Sequence, residues 1–411
     1  MNVFMRMSQL FTKTSKTAPD DAVAQSHALL ARAGFVHQEM AGVFTLLPLG
    51  LRVLRNIEKI IREEMDAISG QEVMMPALQP KANWITTGRW DTFDVLFRLK
   101  SRHHETEYAL GPTHEEIVIP LAGQYIQSYK DLPVSLYQIQ TKFRDEKRAK
   151  SGIIRGREFW MKDMYSFHAN HQDLEKYYEI VKLAYIKIFK RCGINAKVTL
   201  ASGGNFTKKF THEFMAISSA GEDDIIACEQ CSYAQNKEIS TLTEKDGCPE
   251  CKGALSWQTA IEIGNIFDLG TKFSDDFNLS YTDEQGERNR LVIGCYGIGT
   301  TRLIGSIVET HFDKDGIIWP AEISPFDIHL VGLHLEQDEV RNYADSVYEK
   351  LVNMGKTVLY DDRIGITAGE KFADSDLIGI AVRYVTSKKL MPVSKVEVKQ
   401  RGESASKEES V

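Results

Sequence analysis

Between Gln138 and His168 the chain gathers a dense set of cations, aromatic rings and carboxylates into two runs separated by a basic, glycine-bearing turn. Two extended runs about such a turn predict a β-hairpin. In a strand alternate residues share a face, so Arg144 and Glu146 point the same way, as do Arg155, Arg157, Phe159, Met161, Asp163 and Tyr165. Arginines, an aromatic plate and a Met/Asp/Tyr floor on one face suit a ligand whose anionic, planar part is joined to a small polar one. A nucleotide beside an amino acid has that form.

Three further clusters are of interest. Gly111-Pro-Thr-His-Glu-Glu is a tight turn presenting Thr113 and Glu115 before a helix expected to start near Glu116. By itself it reads as helix capping, although a hydroxyl and a carboxylate two residues apart also suit an ammonium or secondary amine. The run Gly294-Cys-Tyr-Gly-Ile-Gly-Thr-Thr-Arg is a glycine-rich strand-to-helix junction. Its glycines allow close backbone approach, and Arg302 falls in the first turn of the next helix, where an anion is favoured. This is neither a Rossmann fingerprint nor a P-loop. Cys228-Glu-Gln-Cys231 and Cys248-Pro-Glu-Cys251, separated by sixteen residues, have the spacing of a four-thiolate zinc knuckle whose role would be folding. Cys192 and Cys295 stand apart and read as buried thiols. His212 and Glu213 follow a Ser202-Gly-Gly-Asn loop; a lone histidine is more commonly a satisfied structural residue than a ligand.

The elements that must position these groups follow from composition and periodicity. A chain of 411 residues suggests two or three domains, and 43% hydrophobic with 26% charged residues suits a globular protein with a sizeable core. No apolar run approaches a membrane span. A net charge of −7 excludes an all-over basic coat for nucleic acid but not a local basic face. Cysteines in metal-like pairs suit a reducing compartment, so cytoplasm is the expectation, and Met1 to Lys16 reads as a short unstructured leader. Helical spacing marks Asp21 to Ala33, Leu51 to Ala67 and Leu174 to Cys192; Gln71 to Ala77 reads as an edge strand closed by Pro76. After Trp319-Pro and Ser324-Pro, alternating strand and helix patterns predict a compact α/β module. Asp361-Asp-Arg and Lys371, Arg383, Lys388 and Lys389 in it could meet RNA or form a solvated face. From Arg401 a Ser/Glu/Lys tail is expected to be disordered.

With Gly111-Pro-Thr-His-Glu-Glu, Phe143-Arg-Asp-Glu, Arg155-Gly-Arg-Glu-Phe and Gly297-Ile-Gly-Thr-Thr-Arg in that order, the chain resembles bacterial-type prolyl-tRNA synthetases from about Ser8 to Lys389. The resemblance implies an α+β fold: a class II antiparallel sheet with helices over 1–320, holding a four-cysteine, zinc-knuckle-like insertion at 224–256, then an anticodon-binding α/β domain over 324–400 and the tail 401–411. It implies a homodimer with Pro76 at the seam, ATP with Mg2+, proline and tRNA(Pro). Arg144 would hold the α-phosphate and the amino-acid carboxylate, Glu146 would read the adenine amino group, Phe159 would stack under adenine, and Arg155 and Arg302 would grip the outer phosphates. Thr113 and Glu115 would take the proline nitrogen, with Met161, Asp163, Tyr165 and His212 around its ring. Context thereby overturns the capping reading of Thr113 and Glu115. Positioning and charge stabilisation carry such chemistry, and no general base is required.

Two departures stand out. Many bacterial relatives carry a large editing domain between the catalytic motifs, whereas only Lys237 to Gly247 separates the cysteine pairs here. Alanyl-tRNA is then not expected to be cleared in cis, and a separate trans-editing factor is expected. Asn265 stands where a Gly-His-Ile-Phe histidine is often found. The alternatives are a non-catalytic tRNA-binding paralogue, which should lack one or more of Arg144, Glu146, Phe159 and Arg302, and a class II ligase for another amino acid.

Overall fold

Alternating polar and apolar positions fold Val134–Phe143 and Glu158–His168 as an antiparallel pair with Gln138 opposite Asp163 and Gln140 opposite Met161. The computed structural model describes residues 4–149, 151–204 and 210–411. They form two compact units, one of 40–43 and 58–306, the other of the remaining N-terminal segments with 307–411.

The first unit is built on a nine-stranded sheet in the order Phe210–Ile217, Lys197–Ser202, Ala234–Asn236, Asp223–Cys228, Leu255–Gly270, Val292–Gly299, Glu158–His168, Val134–Phe143, Gly70–Glu72. Pairing is antiparallel except where Gly70–Glu72 meets Val134–Phe143 and where Lys197–Ser202 meets Ala234–Asn236. The helix His171–Arg191 covers one face with Leu174, Val181, Tyr185, Ile188 and Phe189, all buried, and its start is capped by the Asn170 side chain. Against the same central strands, Val118 and Ile119 of the helix Glu115–Tyr125 pack with Tyr165, Phe167 and Leu291.

The second unit holds a six-stranded sheet in the order Phe4–Arg6, Val358–Asp361, Ile328–Gly332, Val382–Thr386, Lys395–Gln400, Ser406–Ser410, with helices Asp338–Asn353 and Ala368–Ile378. Three expectations are corrected here. Within the supposed unstructured leader, Phe4–Arg6 runs parallel to Val358–Asp361; Arg6 reaches Asp345 at 3.0 Å and Asp362 at 3.5 Å and lies over the Tyr360 ring. An open sheet edge is thereby capped by backbone pairing that composition cannot reveal. The tail from Arg401 is likewise a strand, Ser406–Ser410, antiparallel to Lys395–Gln400 and anchored by Arg401 on Asp313 at 2.7 Å. Of the four cations considered for RNA, Lys371 and Arg383 are buried, the former on the Gly332 carbonyl and Asp361, the latter on Asp376. Lys388 and Lys389 alone of that set stay exposed.

Lys162 is, with Lys142, one of two lysines buried in the nine-stranded sheet among the described residues. It is fully buried with its ammonium on the Tyr185 hydroxyl and, at 3.2 Å, the Tyr296 carbonyl, and burial lowers its pKa to about 7 despite the pull of Asp163. The unfolded chain keeps that proton up to about its ordinary 10.5, so stability contributed here rises with pH across the window between the two values. Replacing Lys162→Met is expected to flatten that rise by up to about 1.4 kcal/mol per pH unit, measured as the difference in urea unfolding between variant and parent; equal slopes would contradict it.

Candidate active site

The polar face of the sheet opens into a cavity of about 390 Å³. Thr113, Glu115, Arg144, Glu146, Phe159, Met161, Asp163, Tyr165 and Arg302, far apart in the chain, all line it. Strand alternation accounts for Phe159, Met161, Asp163 and Tyr165. Arg144 and Glu146 reach it from beyond the end of Val134–Phe143, and Arg302 from the first turn of the helix Thr300–Thr310. Cys295, Gly297 and Gly299 pair with Tyr165, Asp163 and Met161, so two positions of the adjoining wall carry no side chain.

One end of the cavity is set up for an anion. Arg144 lies 5.2 Å from the Phe159 ring centroid, its polar anchor is the Pro112 carbonyl at 3.4 Å, and its buried Nε has no hydrogen-bond partner among the described residues. Burial, with the Arg302 charge nearby, lowers its pKa. Arg302 is better held, by the carbonyls of Ile154 at 3.0 Å and Glu262 at 2.9 Å. Beside them, Glu262 pairs with Arg302 at 3.3 Å and shares Asn265 with Glu213, the Asn265 amide lying 3.4 and 3.3 Å from the Glu213 and Glu262 carboxylates. Burial and the Glu262 charge push Glu213 up to about 8. A register shift in the pairing of Phe210–Ile217 with Leu255–Gly270 falls next to Glu262, where a bulge re-aims a side chain.

The other end is a buried, hydrogen-bonded floor. Asp163 pairs with Lys142 at 2.7 Å and accepts from Gln138 and from the Tyr165 hydroxyl, each at 3.1 Å. Burial alone would raise this carboxyl, but Lys142, His114 and Gln138 outweigh it and hold the pKa below the usual range. Glu115 accepts from the Thr113 hydroxyl at 2.6 Å and from Arg89 at 3.2 Å, and the Cys295 thiol lies 3.5 Å away. Arg89 also holds Glu116, at 2.9 Å. The His114 ring meets the Pro76 carbonyl at 3.1 Å, and burial lowers its pKa to about 4.

Sequence reasoning missed Lys142, Gln138, Arg89 and the position of Cys295. Gln138, Gln140 and Lys142 do alternate on one strand, so the signal for two of them was present; Arg89 gave none. Three named residues stand outside the cavity. Arg155, which precedes the strand Glu158–His168, holds Glu146 at 2.9 Å and Glu222 and lines a smaller neighbouring cavity with Arg302. Arg157 bonds main-chain carbonyls. His212 bonds the Tyr178 hydroxyl at 2.8 Å, because alternation in Phe210–Ile217 sends its neighbour Glu213 to the cavity instead. The sulfur atoms of Cys228, Cys231, Cys248 and Cys251 all lie within 4.8 Å of one another.

Residues 97–311 match the tRNA synthetase class II core domain (G, H, P, S and T), and residues 323–411 match an anticodon binding domain. The fold is that of a class II aminoacyl-tRNA synthetase. Proline–tRNA ligases of Geobacillus sp. strain WCH70 and Bacillus subtilis strain 168 are each 34% identical to the chain over 97% of its length and 97% of theirs. Among solved structures, prolyl-tRNA synthetase from Cryptosporidium parvum with halofuginone and AMPPNP is similar at a TM-score of 0.78 and 17% identity, over 96% of this chain and 76% of that one. That from Giardia lamblia with prolyl-adenylate gives 0.77 and 18%, over 93% and 74%. The chain belongs to the proline–tRNA ligase family.

Removing one partner of a buried ion pair strands the other charge, so Lys142→Met is expected to cost about 3–5 kcal/mol in chemical unfolding. Adding Asp163→Asn should recover part of that loss. A single-variant cost under about 1 kcal/mol would contradict the pairing.

Proposed function

We propose that this chain is an active proline–tRNA ligase, joining proline to the 3′ end of tRNA(Pro) by way of prolyl-adenylate formed from ATP. The observation that carries the reading is the pair of arginines, Arg144 and Arg302, brought to one cavity that ends in the Asp163–Glu115 floor. In the first step a proline carboxylate oxygen attacks the α-phosphorus of ATP and pyrophosphate leaves. In the second a hydroxyl of the terminal ribose attacks the carbonyl carbon of the adenylate and AMP leaves.

Arg144, with its unpartnered Nε, would stabilise charge on the α-phosphate and the proline carboxylate. Phe159 would stack under adenine and Arg302 would bind the outer phosphates. Glu146 would read the adenine amino group and Arg155 would turn to the phosphates, each only after their mutual ion pair opens. Thr113 and Glu115 would receive the secondary ammonium of proline, with Met161, Asp163 and Tyr165 under the ring. His212, bonded to Tyr178, would act on the ring only through its neighbours. Glu213 and Glu262 would hold Mg2+, which supplies neutralisation along the phosphates. Asn265 lies between the two carboxylates at 3.4 and 3.3 Å, and Glu262 would turn from Arg302, 3.3 Å away, once a cation is held.

The four thiols would hold a structural zinc ion. Cys228 to Cys251 and Cys231 to Cys248 are separated by 3.4 and 3.6 Å, close to the edge of a tetrahedron with bonds of about 2.3 Å. Alignments of 551 positions against a chain of 411 residues leave more than a hundred positions of the relatives without a counterpart here, which supports the absence of cis-editing and a separate trans-editing factor. The exposed Met74 and Pro76 beside the edge strand Gly70–Glu72 suit a homodimer seam. Among the described residues no helix is long and apolar enough to cross a membrane; six free cysteines suit a reducing compartment, and the cytoplasm is the proposed location.

Proline-dependent ATP–pyrophosphate exchange tests the reading. The parent should exchange, and Arg144→Ala should lose about 10²- to 10³-fold with an unchanged circular dichroism spectrum. No exchange by the parent would favour the non-catalytic paralogue, and exchange with a different amino acid another ligase. Metal analysis should find one zinc per chain, lost in Cys228→Ser.

A further inference from the structure

Arg157 is a half-buried cation for which the roles just given have no use. Its partners are instructive. The Arg157 carbonyl accepts from the Arg144 N–H at 2.8 Å, and its Nε donates to the Glu146 carbonyl at 3.1 Å. One residue thus grips the first and the last member of the tripeptide that carries Arg144 and Glu146 into the cavity. That tripeptide lies beyond the end of the strand Val134–Phe143, where the Arg144–Arg157 main-chain bond is the last rung of the ladder, so the place of Asp145 and Glu146 depends on other contacts. The middle residue is tied separately, by the Asp145 N–H on the Val95 carbonyl at 2.9 Å.

Arg157 is itself held from the outside. Its N–H donates to the Gly42 carbonyl at 2.6 Å and its Nη1 to the Ala41 carbonyl at 3.0 Å, both within the same compact unit. Gly42 has φ +78°, and a Cβ there would lie 2.5 Å from the Ala149 Cβ and 3.0 Å from the Arg157 nitrogen. Gly156 is closed in similarly, since a Cβ would lie 3.0 Å from the Gly42 carbonyl oxygen. The seam admits backbone and nothing more on either side. A guanidinium that spends its donors on carbonyl oxygens fixes geometry and adds no charge partner to the cavity.

We infer that Arg157 is a positioning residue for ATP, bracketing Arg144–Glu146 against the Ala41–Gly42 turn so that the nucleotide-facing side chains are pre-set. The inference rests on the ligase reading. The proline floor of Glu115 and Asp163 is held by Arg89, Lys142 and Gln138, none of which touches this bracket, so the larger effect should fall on ATP, with proline reached only through the share of Arg144 that meets its carboxylate.

The test is ATP–pyrophosphate exchange by the full chain. Arg157→Ala is expected to raise KM for ATP about 10-fold while KM for proline moves less than about 3-fold. Arg157→Lys should fall between, and Gly42→Ala, which disturbs the other side of the seam, should show the same split. The preference for ATP over purine riboside triphosphate, which lacks the amino group Glu146 would read, should also fall in Arg157→Ala; a merely structural role would leave that ratio unchanged. A KM for ATP like that of the parent in Arg157→Ala and Gly42→Ala, or equal rises for ATP and proline, would overturn the inference. If the parent shows no exchange, the ligase reading fails on its own, and the same split is then read from equilibrium binding of ATP and of proline to parent and variants.

Discussion

A carboxylate buried as deeply as Asp163 stays ionised only if something nearby is worth more to it than water, and much of this site is arranged around meeting that demand. Lys142 supplies the countercharge, Gln138 and Tyr165 supply hydrogen bonds, and each is tied onward. Gln138 accepts from the Met75 N–H at 2.9 Å, and the Tyr165 hydroxyl accepts from the His114 N–H at 3.0 Å. The edge segment at Met75 and Pro76, the turn at Thr113 and the two central strands are in this way locked to one charge. A pocket floor built so has little freedom to adapt, which is what selection of a small rigid amino acid asks of it.

The opposite end of the cavity is constructed on the reverse principle. Arg144 is under-paired and sits near a second guanidinium, an arrangement that costs free energy until an anion arrives. Glu213 is crowded by Glu262, whose own charge meets Arg302 at 3.3 Å. On the proposed reading, an anion arriving here would gain binding energy from relief of a pre-existing mismatch, and the charge met would be the one that grows during phosphoryl transfer. One cavity thus joins a satisfied end, suited to selecting a substrate, to an unsatisfied end, suited to driving chemistry.

Between these ends the supporting residues belong to segments far apart in the chain. Arg89 reaches Glu115 from the loop after the helix Lys81–Thr86, and Arg157 ties Arg144 to the turn at Ala41–Gly42. Neither residue touches the cavity, yet both hold side chains that line it. In the second unit a similar economy operates without a cavity: Lys371, Arg383 and Arg401 stabilise loops and strand ends by meeting Asp361, Asp376 and Asp313.

By itself the sequence determined the sheet-borne part of the site, because period-two alternation is a local property: Phe159, Met161, Asp163 and Tyr165 share a face as soon as their segment is extended. Motif order then placed Thr113, Glu115, Arg144 and Arg302 in the same pocket, and Cys-x-x-Cys pairs brought four sulfurs together. Alternation fails where a strand stops. Arg155 and Arg157 precede the first paired residue, so parity no longer said where they point, and His212 and Glu213 exchanged roles through a one-residue difference in phase. Arg89 and the leader strand Phe4–Arg6 were illegible for a further reason: each acquires meaning only from a partner tens to hundreds of residues away, while the closing strand Ser406–Ser410 was hidden by its polar Ser/Glu/Lys composition although its partner Lys395–Gln400 lies nearby. The hairpin at Gln138–His168 was therefore written in the chain, while the residues that keep it charged, bracketed and aimed were decided by the tertiary structure, since only folding brings a distant countercharge or carbonyl within hydrogen-bond reach.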